Sequence, residues 1–259
     1  EEELGDSGGL SRGSISIGAT ETALNIFLLE KLKSFHMEYP GIRLKLYNHS
    51  TPQAVEAVKS GKIEFAVVTT PVEMKPPLKK IVLQSFREIL VGGKTFTALG
   101  SQVLSLAEVK NYPMICLGRE TMTYQFYSQF FLKHCLELTP DTEVATTDQI
   151  LPLVKNELGL AFLPEKIAEE AIARHEIVQI ALQDPVPERQ ICMVYDVEHS
   201  LNAPLETIEL TNNEKKLFME ALSGEIYTMP SRRRNYIIQR LDSFTSDGAA
   251  RYDAKIFTI

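Results

Sequence analysis

The chain has 259 residues, 44% of them hydrophobic, and a formal net charge of -7, which suits one large or two small domains with real cores. The acidic balance excludes binding to nucleic acid through the overall field, because such binding works by neutralising phosphates. Apolar runs such as IFLL at 26–29 and AFLP at 161–164 fall far short of the roughly 20 residues of a membrane helix, and the acidic start EEELGDSGGLSRG lacks the basic and apolar regions of a secretory signal. A cytoplasmic protein without membrane contact is expected.

Residues 14–17 alternate polar and apolar side chains and predict a strand. Gly18 and Ala19 end it, the cluster Thr20-Glu21-Thr22 follows, and an apolar-periodic helix is predicted over 23–39. A strand at 43–47, a short helix at 51–60 closed by Gly61, and a buried strand at 64–68 come next. That β-α-β-α-β order is the signature of a parallel sheet with helices on both faces. Further strands are predicted at 88–91, 114–117, 142–145, 160–163 and 190–197. Helices are predicted near 123–138, 148–158 and 212–222, the last capped by Thr211. The final segment, 225–259, contains SRRRNYIIQR but no sustained period, and so short a basic run reads first as a solvated face.

Several chemistries lack their residues. GGKT at 92–95 resembles the end of a phosphate loop, but Glu88 stands where the first glycine is needed, so the segment reads as a turn. No G-x-G-x-x-G follows a strand, and there is no G-x-S-x-G elbow. His36, His49, His134, His175 and His199 show no metal-ligand spacing. Cys116, Cys135 and Cys192 are odd in number, widely spaced and read as reduced packing residues. No cofactor, no metal and no enzymatic activity are expected.

Hydroxyls, by contrast, recur just after the strands: Thr20 and Thr22, Ser50 and Thr51, Thr69 and Thr70, Thr121 and Thr123, Thr146 and Thr147. In an open parallel sheet, ligands bind beyond the carboxyl ends of the strands, where helix N-termini offer free N–H groups. The set therefore describes a polar, anion-friendly cleft. Serine and threonine are also preferred helix caps, so capping is the favoured reading of any single joint, and the recurrence over five joints is what points to a ligand site for some of them. Glu21 reads as a first-turn carboxylate favoured by the helix dipole.

The helix over 23–39 carries a second signal. Leu24, Leu28, Leu32, Phe35 and Tyr39 form one apolar stripe, and Ile26, Leu29 and Met37 another. One stripe suits the sheet; the other suits a partner subunit or a broad buried face in a monomer. The helix near 123–138 is similarly rich, with Tyr127 and Phe131 among its aromatics.

Five pieces together resemble the effector-binding domain of LysR-type transcriptional regulators: GSISIGAT at 13–20, FHMEYPGIRLKL at 35–46, VKSGKIEFAVV at 58–68, ELGLAFLP at 157–164 and NNEKKLFMEAL at 212–222. Their order and spacing are the family's, from residue 13 to 222. The resemblance implies an α/β fold of two Rossmann-like lobes joined by two crossovers, of periplasmic-binding-protein type II. It puts the first lobe at 13–92 and 192–224 and the second at 93–191, with crossings near 91–95 and 190–194. It further implies an effector cleft between the lobes, with Thr20, Thr22, Thr51, Thr69, Thr121 and Thr147 at or near its ligand contacts; with the whole hydroxyl set as lining, a small, anionic metabolite is the expected effector. Ile26, Leu29, Tyr127 and Phe131 are the expected contacts of an antiparallel homodimer or tetramer. The family's DNA-binding winged helix-turn-helix is missing here, with 1–12 reading as the end of its linker helix and 225–259 as an extension of no assigned role. A solute-binding protein of a transporter shares the same architecture.

Overall fold

The computed structural model describes residues 14–38 and 40–196. The expectations for 1–12, Tyr39, Thr211, 212–222 and 225–259 lie outside the described residues.

β1 (Ser14–Ala19) runs through Thr20 into one continuous but uneven helix, formed by α1 (Glu21–Ala23), a π-helical turn (Leu24–Leu28) and α2 (Leu29–Glu38). β2 (Arg43–Asn48), α3 (Thr51–Lys59) and β3 (Phe65–Thr69) follow. β1 pairs in parallel with both β2 and β3, as the β-α-β-α-β pattern predicts. α3 opens with Pro52 in its first turn, where a missing N–H costs nothing. It closes at Gly61, whose φ of 69° belongs to the left-handed region, and the Lys62 N–H returns to the Ala57 carbonyl.

β4 (Leu78–Phe86) and the late strand β11 (Arg189–Asp196) complete a five-stranded sheet in the order β2-β1-β3-β11-β4. The second sheet has six strands: β5 (Glu88–Gly93), β6 (Val103–Leu104), β7 (Met114–Leu117), β8 (Thr142–Val144), β9 (Leu160–Pro164) and β10 (Ile177–Leu182). Their order is β6-β10-β5-β9-β7-β8. The short α4 (Leu106–Val109) and the aromatic-rich α5 (Met122–Lys133) pack on one face with Leu90, Cys116, Leu160 and Phe162. α6 (Ile150–Lys155) and α7 (Glu165–Ala173) pack on the other with Val91, Ile115, Ala161 and Leu163. In the first lobe α1 and α2 cover Ile15, Ile17, Phe65, Val67, Ile191 and Met193, and α3 covers Ala66, Val68 and Val194. The two Rossmann-like lobes are thus each a helix-sheet-helix sandwich.

The strands change sheet at Arg87 and again between Leu182 and Arg189. Both crossings come earlier than expected. β5 pairs with β9 and β10 in the second sheet, and Gln190–Val194 already pair with β3 and β4 in the first. The misplacement has a physical origin: β4 passes into β5 through a single residue with no glycine or proline, whereas the visible punctuation, Gly92-Gly93, comes after the crossing. Two helices are also shorter than predicted. α5 stops at Lys133 because Cys135 takes a left-handed φ of 58°, and this cysteine is exposed rather than a packing residue. Cys116 and Cys192 are buried as expected, and burial pushes the Cys116 thiol up to about 12. The helix predicted over 148–158 opens instead as a 3-10 turn (Thr147–Gln149), and α6 ends at Lys155. Among the described residues no helix is long and apolar enough to cross a membrane.

Candidate functional site

The parallel strands of both lobes deliver their carboxyl ends, and the helix N-termini that follow, to the seam between the lobes. Six of the ten residues in the hydroxyl set bond within their own lobe. Thr20 caps α1 by accepting from the Ala23 N–H at 3.4 Å, and Thr121 caps α5 by accepting from the Tyr124 N–H at 3.1 Å. The Ser50 N–H donates to Gln53 Oε1 at 3.0 Å at the start of α3. Thr51 Oγ1 donates to the Thr69 carbonyl at 3.2 Å, and Thr70 Oγ1 accepts from the Gln190 N–H at 2.8 Å. Thr146 bonds Asp148. Thr20 and Thr121 thus serve as side-chain helix caps, whereas Thr51 and Thr70 link neighbouring elements of the first lobe.

The remaining four reach across. Thr22 of the first lobe and Thr147 of the second meet hydroxyl to hydroxyl at 3.5 Å. One turn further along the same helix, Lys166 at the start of α7 donates to the Ile26 carbonyl at 3.0 Å. The first helix therefore touches both second-lobe helix starts on that flank. Beside Thr22, Glu21 is raised above its ordinary value, first by burial and then by the Asp148 carboxylate, and its Oε2 is buried without a hydrogen-bond partner. The seam is accordingly less uniformly anion-friendly than its threonines suggest.

Thr69 and Thr123 meet through a residue that sequence reasoning overlooked. Arg189, only 1% exposed, donates from Nη2 to Thr69 Oγ1 at 3.0 Å and to Thr123 Oγ1 at 3.1 Å. Its Nε donates to the Thr70 carbonyl at 2.8 Å, and its Nη1 to Glu88 Oε1 at 2.6 Å. Phe86 of the first lobe and Phe126 of the second flank the guanidinium, with ring centroids at 5.5 and 5.1 Å. Glu88 is as deeply buried as its partner. Burial, and then the Glu88 carboxylate, holds the Tyr127 phenol well above its ordinary range. A signal for this pair does stand in the sequence, since each residue is the charge that opens a largely apolar strand, EILVGG and RQICMVYD. Charges so placed are rarely buried unless paired.

A cavity of about 280 Å³ opens on the α7 side of the seam, lined by Ile26, Gln84–Arg87, Pro164–Lys166 and Glu188. Both lobes and both crossings contribute to it, yet none of the hydroxyl residues singled out from the sequence lines it. An exposed pair on its rim, Arg87 with Glu165 at 2.8 Å, ties the first crossing to α7.

Three of the four expected dimer contacts face inward. Ile26, Tyr127 and Phe131 are 2%, 4% and 1% exposed and belong to the chain's own cores, which corrects their reading as partner contacts. Leu29 alone is open, at 48%. The cause lies in the π-helical turn: its extra residue per turn rotates the second stripe, so that Ile26, Phe27 and Leu28 are all buried while Leu29 and Met37 are not.

Residues 8–208 match the family model described as LysR substrate binding domain. The HTH-type transcriptional activator CmpR of Synechocystis sp. is 23% identical over 166 residues, a span of 63% of this chain and 53% of CmpR. The chain thus covers about half the length of that relative. Among solved structures, the effector binding domain of QuiR in complex with shikimate aligns with a TM-score of 0.65 and 16% identity, over 80% of this chain and 95% of that one. The Synechocystis PCC6803 CcmR regulatory domain in complex with 2-PG aligns at 0.67 and 15% identity, over 84% of this chain and 99% of that one. At such identities the likeness is one of fold, the two-lobed type II periplasmic-binding arrangement.

Proposed function

The chain belongs to the LysR substrate binding domain family, and from that premise we propose that it senses a small anionic metabolite bound between its lobes and transmits the result to a DNA-binding segment of the same regulator. The observation that carries this reading is the meeting of Thr22 and Thr147, hydroxyls from opposite lobes, at 3.5 Å. A ligand inserted there contacts both lobes at once. Its affinity then differs between open and closed arrangements, which is the condition for shifting their populations. Coupling of about 1–3 kcal/mol is typical of such switches, so a modest lobe movement suffices. Glu21 and Asp148 on the same seam favour an effector that carries hydrogen-bond donors, such as hydroxyl groups, alongside its anionic end.

Homologous sensing domains are parts of transcriptional regulators, which supports this reading over a transporter's solute-binding protein. In our reading the chain works in the cytoplasm as a homodimer or tetramer, with Leu29 on the contact surface, and reaches DNA through an N-terminal winged helix-turn-helix. The effector alters the geometry of that assembly. Thermal-shift screening of hydroxylated organic acids and inorganic oxyanions tests the ligand site, with Thr22→Val as the comparison. A true effector raises the melting temperature of the wild type and does so markedly less for the variant. Equal stabilisation of both reduces Thr22 to a structural contact.

A further inference from the structure

Arg189 is the only guanidinium among the described residues to be buried with bonds to both lobes. Its geometry constrains hydroxyls on either side of the seam. A threonine hydroxyl has one proton to donate and lone pairs to accept with. Because Nη2 donates into both Thr69 Oγ1 and Thr123 Oγ1, each oxygen already acts as an acceptor, and its own proton points away from the arginine. The guanidinium cannot itself serve as an anion clamp in the usual way. Its charge is matched at 2.6 Å by the buried Glu88 carboxylate, and its central carbon lies 5.5 and 5.1 Å from the Phe86 and Phe126 ring centroids.

We propose that Arg189 is a positioning residue of the effector cleft: it turns Thr69 of the first lobe and Thr123 of the second into a matched pair of proton donors, so that this end of the cleft favours a hydrogen-bond acceptor over an ammonium group. The proposal rests on the reading of the seam as an effector site and assigns the chemistry at one end of it. An effector's carboxylate or oxyanion oxygen is received between the two hydroxyls, while its own donors turn toward Glu21 and Asp148 at the other end. Bridging the pair requires both lobes, so recognition of the acceptor and closure of the lobes are one event.

The experiment uses the full chain labelled at threonine methyl groups, titrated at constant ionic strength with sodium sulfate as the acceptor probe and methylammonium chloride as the donor probe. Sulfate is expected to move the Thr69 and Thr123 methyl resonances along a saturable curve, and methylammonium is not. Thr123→Val should weaken sulfate binding about tenfold, as the loss of a hydrogen bond to a charged acceptor does. Thr123→Ser, which restores the hydroxyl, should stay within about twofold of the wild type. Arg189→Lys retains the charge but loses the planar fork that reaches Thr70, Glu88, Thr69 and Thr123 at once, and should bring sulfate and methylammonium responses closer together. That is a change of selectivity that loss of stability alone does not produce.

A sulfate response at Thr22 and Thr147 without one at Thr69 and Thr123 overturns the role of Arg189 and leaves the effector site standing. Wild-type affinity in Thr123→Val does the same. Saturable methylammonium binding at Thr69 and Thr123 shows the hydroxyls to be acceptors and also defeats the proposal. Silence of all four methyl groups toward sulfate rejects the acceptor chemistry, while the thermal-shift screen still tests the seam with organic ligands.

Discussion

Gly159 shows how one residue can be dictated by a neighbour's backbone. Its φ is 157°, and a Cβ there would stand 2.5 Å from the Pro113 carbonyl oxygen, the same oxygen that accepts from the Leu160 N–H at 2.8 Å. Gly159→Ala must strain the turn or break that bond, and is expected to lower the stability measured by urea unfolding by about 1–3 kcal/mol. Glu21 offers a test of a different kind. Its carboxyl is raised above the ordinary 4.5 by burial and by Asp148, so the folded seam holds its proton more tightly than the unfolded chain does. The resulting stabilisation is complete below pH 4.5 and is lost as pH rises through the raised value. Glu21→Gln mimics the protonated acid at every pH. It should melt with the wild type in acid and above it near neutrality, in thermal scans taken across that range. A difference that does not vary with pH would assign the effect to packing instead.

At the level of elements, the first helix explains why periodicity was informative and yet misled. Leu28, the last residue of the π turn, and Leu32, four residues on in α2, face the sheet as the stripe predicts, because the helix beyond the turn is ordinary. Across the turn itself the phase slips, and Ile26 joins the core. Ile26→Ala should therefore cost about 2–5 kcal/mol of unfolding free energy, the range for a truncated core aliphatic. Leu29→Glu, three residues on, should leave the melting curve nearly unchanged. If the exposed face of α2 pairs with a second copy, Leu29→Glu shifts sedimentation velocity profiles toward the monomer. Unaltered association would move the contact to another surface. The strands were legible wherever a buried run was bracketed by turn residues, as at β1, β3, β7 and β9. β4 was missed because its alternating LKKIVLQSF carries lysines on an exposed side, and β10 because a polar residue interrupts IVQIAL.

For the molecule as a whole, the two-lobed plan was readable because it repeats one local grammar, strand then hydroxyl then helix, on both sides of the crossings. What joins the lobes was not, because it depends on side chains far apart in sequence: Arg189 and Glu88 are separated by 101 positions. No spacing rule connects them. Their energetic role can still be separated from their chemistry. Removing one member of a buried ion pair strands the other charge and typically costs about 3–5 kcal/mol, whereas replacing both by uncharged groups of similar volume is often far milder. Arg189→Met is thus expected to destabilise by that amount, and the double variant Arg189→Met/Glu88→Gln to recover a large part of it in a double-mutant cycle by urea unfolding. Because the arginine bonds Thr69 and Thr70 in one lobe and Thr123 and Glu88 in the other, its loss should also broaden or split a single unfolding transition as the lobes begin to melt separately. A single variant as stable as the wild type, or a double variant no better than the single, would mean that the lobes are held together by their packed seams, with the buried pair serving only to orient the hydroxyls it touches.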